Sequence, residues 1–364
     1  MGELKMFRKT MLSDLPEHLT ERIMEFLPVE CFFGFRTVCH TWNTLLSSEH
    51  FNSIARNNQP NLIFCSSNTQ LPSLIYSFSS NTRRTISFSF VADNKGINFR
   101  GSASELLLLD IPNRHWFCYS LPILYVCNPL RKTCVRLPAM VCVSSIMAKA
   151  ILPAGDNTDD YDVMIVGRSS SDSVMVEVYN SMTKSWKVAG TIPDELNLVI
   201  RNENMFSCQG CLFCMTSSGG RVMVYNIEHG STTIVAIPPV ADWARLVCCK
   251  SRVFMVGATE ENHNLKGIIM WELVLKEGKD YFWQEMGRMP ESVCDGFKRS
   301  SRCNWFECAG VGDTICFRAH ESVEVVVYDI NTNSWNWLPQ FPADFRYVSM
   351  RCLPLQTMPN ANFS

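Results

Sequence analysis

A unit that returns roughly every fifty residues constrains this chain more than any other feature of its sequence. Val126-Cys127-Asn128 leads to Cys134 and then Leu137-Pro138, and Val178-Tyr179-Asn180 leads to Trp186 and Ile192-Pro193. Val224-Tyr225-Asn226 leads to Thr232 and Ile237-Pro238, and Val327-Tyr328-Asp329 to Trp335 and Leu338-Pro339. Met270-Trp271-Glu272 reaches Trp283 and Met289-Pro290 through a longer hairpin, and a worn copy begins at Ile75-Tyr76-Ser77 and returns at Thr85-Ile86-Ser87-Phe88. The physics of the unit is local. An Asn or Asp side chain bonds to the backbone that follows it and starts a turn. The proline at the far end has no N–H for another ladder bond, so it stops the returning strand.

The prolines Pro138, Pro193, Pro238, Pro290 and Pro339 stand 55, 45, 52 and 49 residues apart. Such a period, with about four short strands per unit, is the signature of a kelch-type β-propeller. Six hairpins predict six blades, with a divergent seven-bladed ring as the alternative. The stretch from Phe345 to Leu353 reads as one more strand without a unit of its own. It is expected to complete the first blade, so that the two chain ends close the ring and leave few exposed sheet edges.

The first 55 residues have a different texture. Leu19, Ile23, Phe26 and Leu27 recur at helical spacing, with Pro16 at the tolerated first position of a helix. Cys31, Phe32, Phe35 and Val38 mark a second helix after Pro28, and Trp42, Leu45 and Leu46 a third. A unit of this size buries a small fraction of its surface, and this one carries a surplus of large apolar residues. Either they pack on the rest of the chain, or they form a face for partner helices.

Leu15-Pro16-Glu17-His18-Leu19, Ile23-Met24-Glu25-Phe26-Leu27-Pro28-Val29 and Phe35-Arg36-Thr37-Val38-Cys39-His40-Thr41-Trp42 together resemble the F-box in order, spacing and aromatic identity. Gly34, inside the second helix, departs from a smooth helical pattern. The resemblance implies binding to a Skp-type adaptor, and through it to cullin and RING subunits. It carries over Leu15, Pro16, Ile23, Leu27, Pro28, Val29, Val38 and Trp42 as adaptor-face residues, with Trp42 the most suited of these to hold the helices together. With the repeats that follow, the whole chain resembles the plant F-box/kelch-repeat family, substrate receptors of SCF-type (Skp–cullin–F-box) ubiquitin ligases. The glycine doublet usual in kelch blades is mostly missing: Val166-Gly167 and Val256-Gly257 keep one glycine each, and Gly219-Gly220 sits elsewhere in its unit.

The expected organisation is therefore α plus all-β: a tail over 1–10, a three-helix F-box over 11–55, a kelch-type propeller over 56–355 and a tail over 356–364. A formal charge of −2 lacks the basic excess of a nucleic-acid binder. The N-terminus lacks a signal peptide's apolar stretch, and runs such as Leu106-Leu107-Leu108-Leu109 are strand-sized, too short for a membrane span. The expected compartment is the cytosol or nucleus. The 17 cysteines then read as free thiols, many in apolar strands, as with Cys134, Cys142, Cys308 and Cys316. Cys211-x-x-Cys214 has no second pair at zinc spacing and reads as ordinary strand.

No catalytic constellation, metal motif or phosphate loop emerges, and no cofactor is expected. Asp156, Asp159, Asp160 and Asp162 read as a solvated loop, and Arg83-Arg84 and Arg131-Lys132 as turn residues. The expected role is non-catalytic. A target protein is held by propeller loops and thereby kept near a charged conjugating enzyme, by effective concentration. Candidate loops are Ala154 to Tyr161, Ala258 to Lys266 and Met289 to Arg302; Lys298, Arg299 and Arg302 are candidates for contacting an acidic target segment. A propeller enzyme, a small-ligand sensor and a non-degradative scaffold stand as alternatives, because a fold does not fix a function.

Overall fold

The computed structural model describes residues 16–25, 40, 42, 44, 60–66, 71–78, 81–91, 96–112, 121–155, 160–193, 200–216, 220–238, 243–261, 264–275, 281–299, 306–320, 322–342 and 350–356. Helix α1 spans Glu17–Glu25. The strands among the described residues form six four-stranded antiparallel sheets. Blade 1 begins with β1 (Pro60–Ser66), β2 (Ser73–Ser77) and β3 (Thr82–Ile86). Blade 2 is β4 (Asn98–Ala103), β5 (Leu106–Ile111), β6 (Ile123–Asn128) and β7 (Thr133–Arg136). Blade 3 is β8 (Val143–Pro153), β9 (Tyr161–Ser169), β10 (Val174–Asn180) and β11 (Ser185–Ile192). Blade 4 is β12 (Ile200–Cys208), β13 (Cys211–Thr216), β14 (Arg221–Asn226) and β15 (Thr232–Ala236). Blade 5 is β16 (Trp243–Cys249), β17 (Arg252–Glu261), β18 (Asn264–Leu275) and β19 (Tyr281–Arg288). Helix α2 (Glu291–Arg299) precedes blade 6, which is β20 (Phe306–Val311), β21 (Thr314–Ala319), β22 (Val325–Asp329) and β23 (Ser334–Trp337).

The last strand, β24 (Met350–Gln356), pairs antiparallel with β1, from Pro60 opposite Gln356 to Ser66 opposite Met350. It becomes the inner strand of blade 1. The inner strands β24, β4, β8, β12, β16 and β20 neighbour one another in that order and back to the start. The ring therefore closes as expected, through a strand described from Met350 onward. Strand β3 starts three residues before the expected Thr85, because Ser77 pairs with Thr82 across a turn whose Asn81 has φ 51°.

The core consists of six apolar clusters, one between each pair of neighbouring blades. Period-2 alternation explains them. On β9, Val163 and Ile165 face blade 2 while Met164 and Val166 face blade 4. Both faces of a blade are covered, so its middle strands are apolar throughout; β5, Leu-Leu-Leu-Leu-Asp-Ile, is buried along its whole length.

The repeated turn residues act as the sequence suggests. Asn128 Oδ1 accepts from the amides of Leu130 and Arg131, both at 3.0 Å, and Asn180 Oδ1 from Thr183 at 3.0 Å. Asn226 Oδ1 accepts from His229 at 2.8 Å, and Asp329 Oδ1 from Asn331 and Thr332 at 2.9 Å. The residue four places on is left-handed each time: Lys132, Lys184, Gly230 and Asn333 have φ of 54°, 53°, 63° and 50°. That geometry suits a longer hairpin loop closing on a bulge. Tryptophans on returning strands bind neighbouring blades together. Trp186 Nε1 donates to the carbonyl of Pro138 and Trp283 Nε1 to that of Ala236, each at 2.9 Å and 48 and 47 residues apart, close to one repeat.

Candidate functional site

Two surfaces deserve comparison with the expected roles: the helical segment and the rims of the ring. In α1 the Pro16 carbonyl accepts the amides of Leu19 and Thr20 at 3.0 and 3.1 Å. Thr20 is buried and its hydroxyl also reaches Pro16 O, at 3.3 Å. Leu19 and Ile23, one turn apart, stay exposed at 44% and 41%. Large aliphatic side chains on adjacent turns of one helix form an apolar stripe. Trp42 is buried, 3% exposed. Of the expected adaptor-face residues, then, Ile23 is available on the surface, Pro16 is exposed at the helix start and Trp42 is internal. Leu15, Leu27, Pro28, Val29 and Val38 lie outside the described residues.

Strand direction sorts the propeller loops by end. In an antiparallel blade the first-to-second and third-to-fourth connections share one rim, here the turn rim. The second-to-third loops and the crossovers share the other, the crossover rim. Pro60 and Gln356 pair at the turn rim, so the propeller's first and last strands both meet the rest of the chain there. The loop Ala154 to Tyr161 is also on the turn rim, and its residues 156–159 lie outside the described residues. The described parts of the other two, residues 258–261 with 264–266 and residues 289–299, are on the crossover rim. The three candidate loops therefore do not converge on one surface.

The stretch Met289 to Arg302, expected as a loop, contains helix α2. The Pro290 carbonyl accepts the amides of Val293 and Cys294, at 3.0 and 2.9 Å. Glu291 lies in the first turn and Lys298 and Arg299 in the last, the order that complements a helix dipole. Cys294 and Phe297 are buried on its inner face. Gly296 lets the helix sit on Trp337: a Cβ there would lie 2.9 Å from Cζ2 of that ring. Lys298 and Arg299 are therefore not loose turn cations. Lys298 Nζ pairs with Asp295 at 3.4 Å, and Arg299 Nε donates to the Asp295 carbonyl at 3.1 Å. Arg302 lies outside the described residues. Trp337 remains 40% exposed where it packs against Gly296, two residues before Lys298, a neighbour that sequence spacing did not reveal.

Other singled-out residues have structural partners. Arg83 and Arg84 are in β3, not a turn, and Arg83 lies over the Phe341 ring at 5.1 Å. Arg131 reaches Glu105 at 3.8 Å, and Asp162 accepts from Asn180 Nδ2 at 2.8 Å. Cys211 and Cys214 belong to different clusters on opposite faces of β13, so they cannot jointly grip one ion. Among the described residues no group of three His, Cys, Asp or Glu is placed to hold a metal, and no helix is long and apolar enough to cross a membrane. A cleft of about 690 Å³ lies between blades 2 and 3, where the end of β7 meets the turns of blade 3, lined by Arg136, Pro138, Tyr161, Tyr179 and Lys184 among others. Burial pushes the Tyr161 phenol up to about 12.

One buried charge cluster was not foreseen. Asp110, at the end of β5, accepts Arg100 Nε at 2.6 Å and Asn98 Nδ2 at 2.8 Å from its own blade. It also meets Lys149 Nζ at 2.6 Å from blade 3, and both members of that pair are 2% exposed. Burial raises the Asp110 carboxyl, but the charges of Lys149 and Arg100 and their hydrogen bonds bring it below its ordinary value. The cluster joins two blades rather than forming an open reaction centre.

Comparison with known proteins agrees with this two-part layout. Residues 12–54 match the F-box domain, and residues 75–337 match the KIB1-4 beta-propeller. F-box only protein 6 of Arabidopsis thaliana is 26% identical over 351 residues, covering 90% of this chain and 69% of that protein. An Arabidopsis thaliana F-box/kelch-repeat protein is 25% identical over 382 residues, covering 95% and 88%. Protein UNUSUAL FLORAL ORGANS, also of Arabidopsis thaliana, is 26% identical over 363 residues, covering 91% and 79%. Among solved structures, a chain of a nidogen/laminin complex superposes with a TM-score of 0.50 at 10% identity, covering 81% of this chain and 97% of the other; the likeness is one of fold alone.

Proposed function

Because the chain belongs to the KIB1-4 beta-propeller family and carries an F-box ahead of that propeller, we propose that it is the substrate-recognition subunit of an SCF-type ubiquitin ligase, working in the cytosol or nucleus. The observation that carries this reading is the union of the two units in one chain, with an F-box and an F-box/kelch-repeat relative matched over most of its length. The F-box binds a Skp-type adaptor through an apolar face that includes Leu19 and Ile23, together with Leu15, Pro16, Leu27, Pro28, Val29 and Val38. Trp42 supports that face from within. The adaptor links the chain to cullin and RING subunits. The propeller, kelch-type in its repeat, holds the target.

No covalent step occurs on this chain. Holding the target beside the conjugating enzyme replaces a bimolecular encounter with a nearly intramolecular one. The crossover rim is the natural target side, since the turn rim is where the propeller joins the rest of the chain. Its leading patch is Trp337 with Lys298 and Arg299, and Arg302 stays a candidate from the sequence alone. Exposed Trp and Arg are the residue types that dominate interface energies, and the cations suit an acidic target segment.

The test is quantitative proteomics with two arms. Targets are the proteins that both co-purify with the full chain and accumulate when it is removed. A Trp337→Ala/Lys298→Glu/Arg299→Glu variant should lose them while keeping the adaptor. Bound proteins whose abundance ignores removal of the chain would overturn the degradative reading.

A further inference from the structure

The inner strands β12 and β16 are neighbours in the ring, and each ends in cysteine at the turn rim. Cys208 closes β12, and Cys248 and Cys249 close β16. Successive side chains on a strand point to opposite faces. The Cys249 thiol donates to the Thr314 carbonyl of blade 6 at 3.6 Å and belongs to the cluster between blades 5 and 6. Cys248 must then face blade 4. It does so, packing in the cluster that holds Cys208 and Cys211.

We propose that Cys248 and Cys208 form an oxidation-sensitive thiol pair, which a peroxide closes into a disulfide linking blades 4 and 5. The two sulfurs differ in the way such chemistry needs. Cys248 is half-buried and Cys208 buried, so an oxidant meets Cys248 first. The neighbouring Cys208 thiol outweighs burial and lowers the Cys248 thiol, while Cys248 and burial raise Cys208. The reactive form of cysteine is the thiolate, and exposure and a lowered thiol select the site. The other interior thiols run the opposite way: burial pushes Cys214 and Cys308 each up to about 12. Cys248 thereby stands apart from the surrounding apolar cysteines.

The step balances with hydrogen peroxide as the oxidant. The Cys248 thiolate attacks one peroxide oxygen, the O–O bond breaks, and hydroxide leaves and takes a proton, giving a sulfenic acid and water. The Cys208 sulfur then attacks the sulfenyl sulfur and displaces hydroxide, which leaves as a second water with the Cys208 proton. Two thiols and one peroxide become one disulfide and two waters.

The test uses the reduced full chain and dilute hydrogen peroxide, with maleimide labelling of free thiols and non-reducing peptide mapping. The expected result is a loss of two labelled thiols and a Cys208–Cys248 bridged peptide, reversed by dithiothreitol. Cys249→Ala should leave the bridge intact, because that side chain faces blade 6. Cys208→Ser should abolish it and send Cys248 on to sulfinic acid. The wild-type mapping decides the matter even where a variant folds poorly. Absence of the bridged peptide from folded, peroxide-treated wild type would overturn the proposal. So would a bridge from Cys248 to Cys211, or oxidation of other cysteines as fast as Cys248.

Discussion

Replacing Asp110 with Asn should be among the most damaging single changes of one side chain in the propeller. The carboxylate accepts two hydrogen bonds from Arg100, at 2.6 and 3.4 Å, one from Asn98 at 2.8 Å, and the Lys149 ammonium at 2.6 Å. Asn keeps the shape but removes the negative charge, which leaves the buried Lys149 ammonium without its counter-ion. Breaking a buried pair from one side costs about 3–5 kcal/mol, a large share of the roughly 5–15 kcal/mol that holds a domain folded. Urea unfolding followed by tryptophan fluorescence reads the change. With a slope of about 3 kcal/mol per molar, the midpoint should fall by about 1–1.7 M. The companion variant Asp110→Leu/Lys149→Met removes both members of that pair and should recover the part of the loss that comes from Lys149, while the Arg100 and Asn98 bonds to Asp110 stay lost. The pH dependence has a definite sign. The folded-state value of Asp110 is lowered, so its stabilisation is present above the ordinary carboxylate range and is lost as pH falls through and below it. The gap between wild type and Asp110→Asn should therefore shrink in acid. A midpoint shift worth under about 1 kcal/mol, or a gap that ignores acid, would refute the reasoning.

Three other outcomes follow from the packing. Gly310→Ala should cost about 3 kcal/mol or more by the same urea assay, since its Cβ would lie 2.8 Å from the Cys248 carbonyl carbon and closer still to the Cys248 oxygen and Cys249 Sγ, and backbone cannot step aside cheaply. Trp186→Phe keeps most of the ring but deprives the Pro138 carbonyl of its donor; a thermal-unfolding loss of about 1–2 kcal/mol is expected, and no loss would remove that tryptophan as a tie between blades. Asn333→Ala removes the acceptor of the Tyr328 hydroxyl, 3.0 Å away, and places alanine at φ 50°, so about 1–2 kcal/mol should be lost, with Asn333→Gly losing less.

What the sequence reveals here is whatever is decided locally. Asn128, Asn180, Asn226 and Asp329 each make their own turn, so their spacing exposes the hairpins and, through them, the number of blades. The closing strand was legible because it was left over once the hairpins were paired. The Asp110–Lys149 pair was not, because its members lie on different blades and nothing in either strand's alternation points to the other. Helix α2 was missed for another reason. Pro290 reads equally as a strand stop and as a helix start, and only the spacing of Cys294 and Phe297, with acid before base, favours the helix. The two rims could not be told apart until strand directions were known, and that separation moves Trp337 into the foreground. In the helical segment, periodicity finds the apolar stripe, but whether a stripe is core or contact depends on exposure, which differs between Ile23 and Trp42.

The most direct measurement is calorimetric titration of the full chain with a Skp-type adaptor, wild type against Leu19→Ala/Ile23→Ala, with circular dichroism to check that both are folded. Each side chain is already more than half covered, so completing its burial is worth about 1 kcal/mol. The double variant should then bind roughly 30-fold more weakly, corresponding to about 2 kcal/mol. Tight wild-type binding weakened by that factor would support the receptor reading. Unchanged affinity would remove Leu19 and Ile23 from the contact, and a folded wild-type chain that ignores the adaptor would contradict the central claim outright.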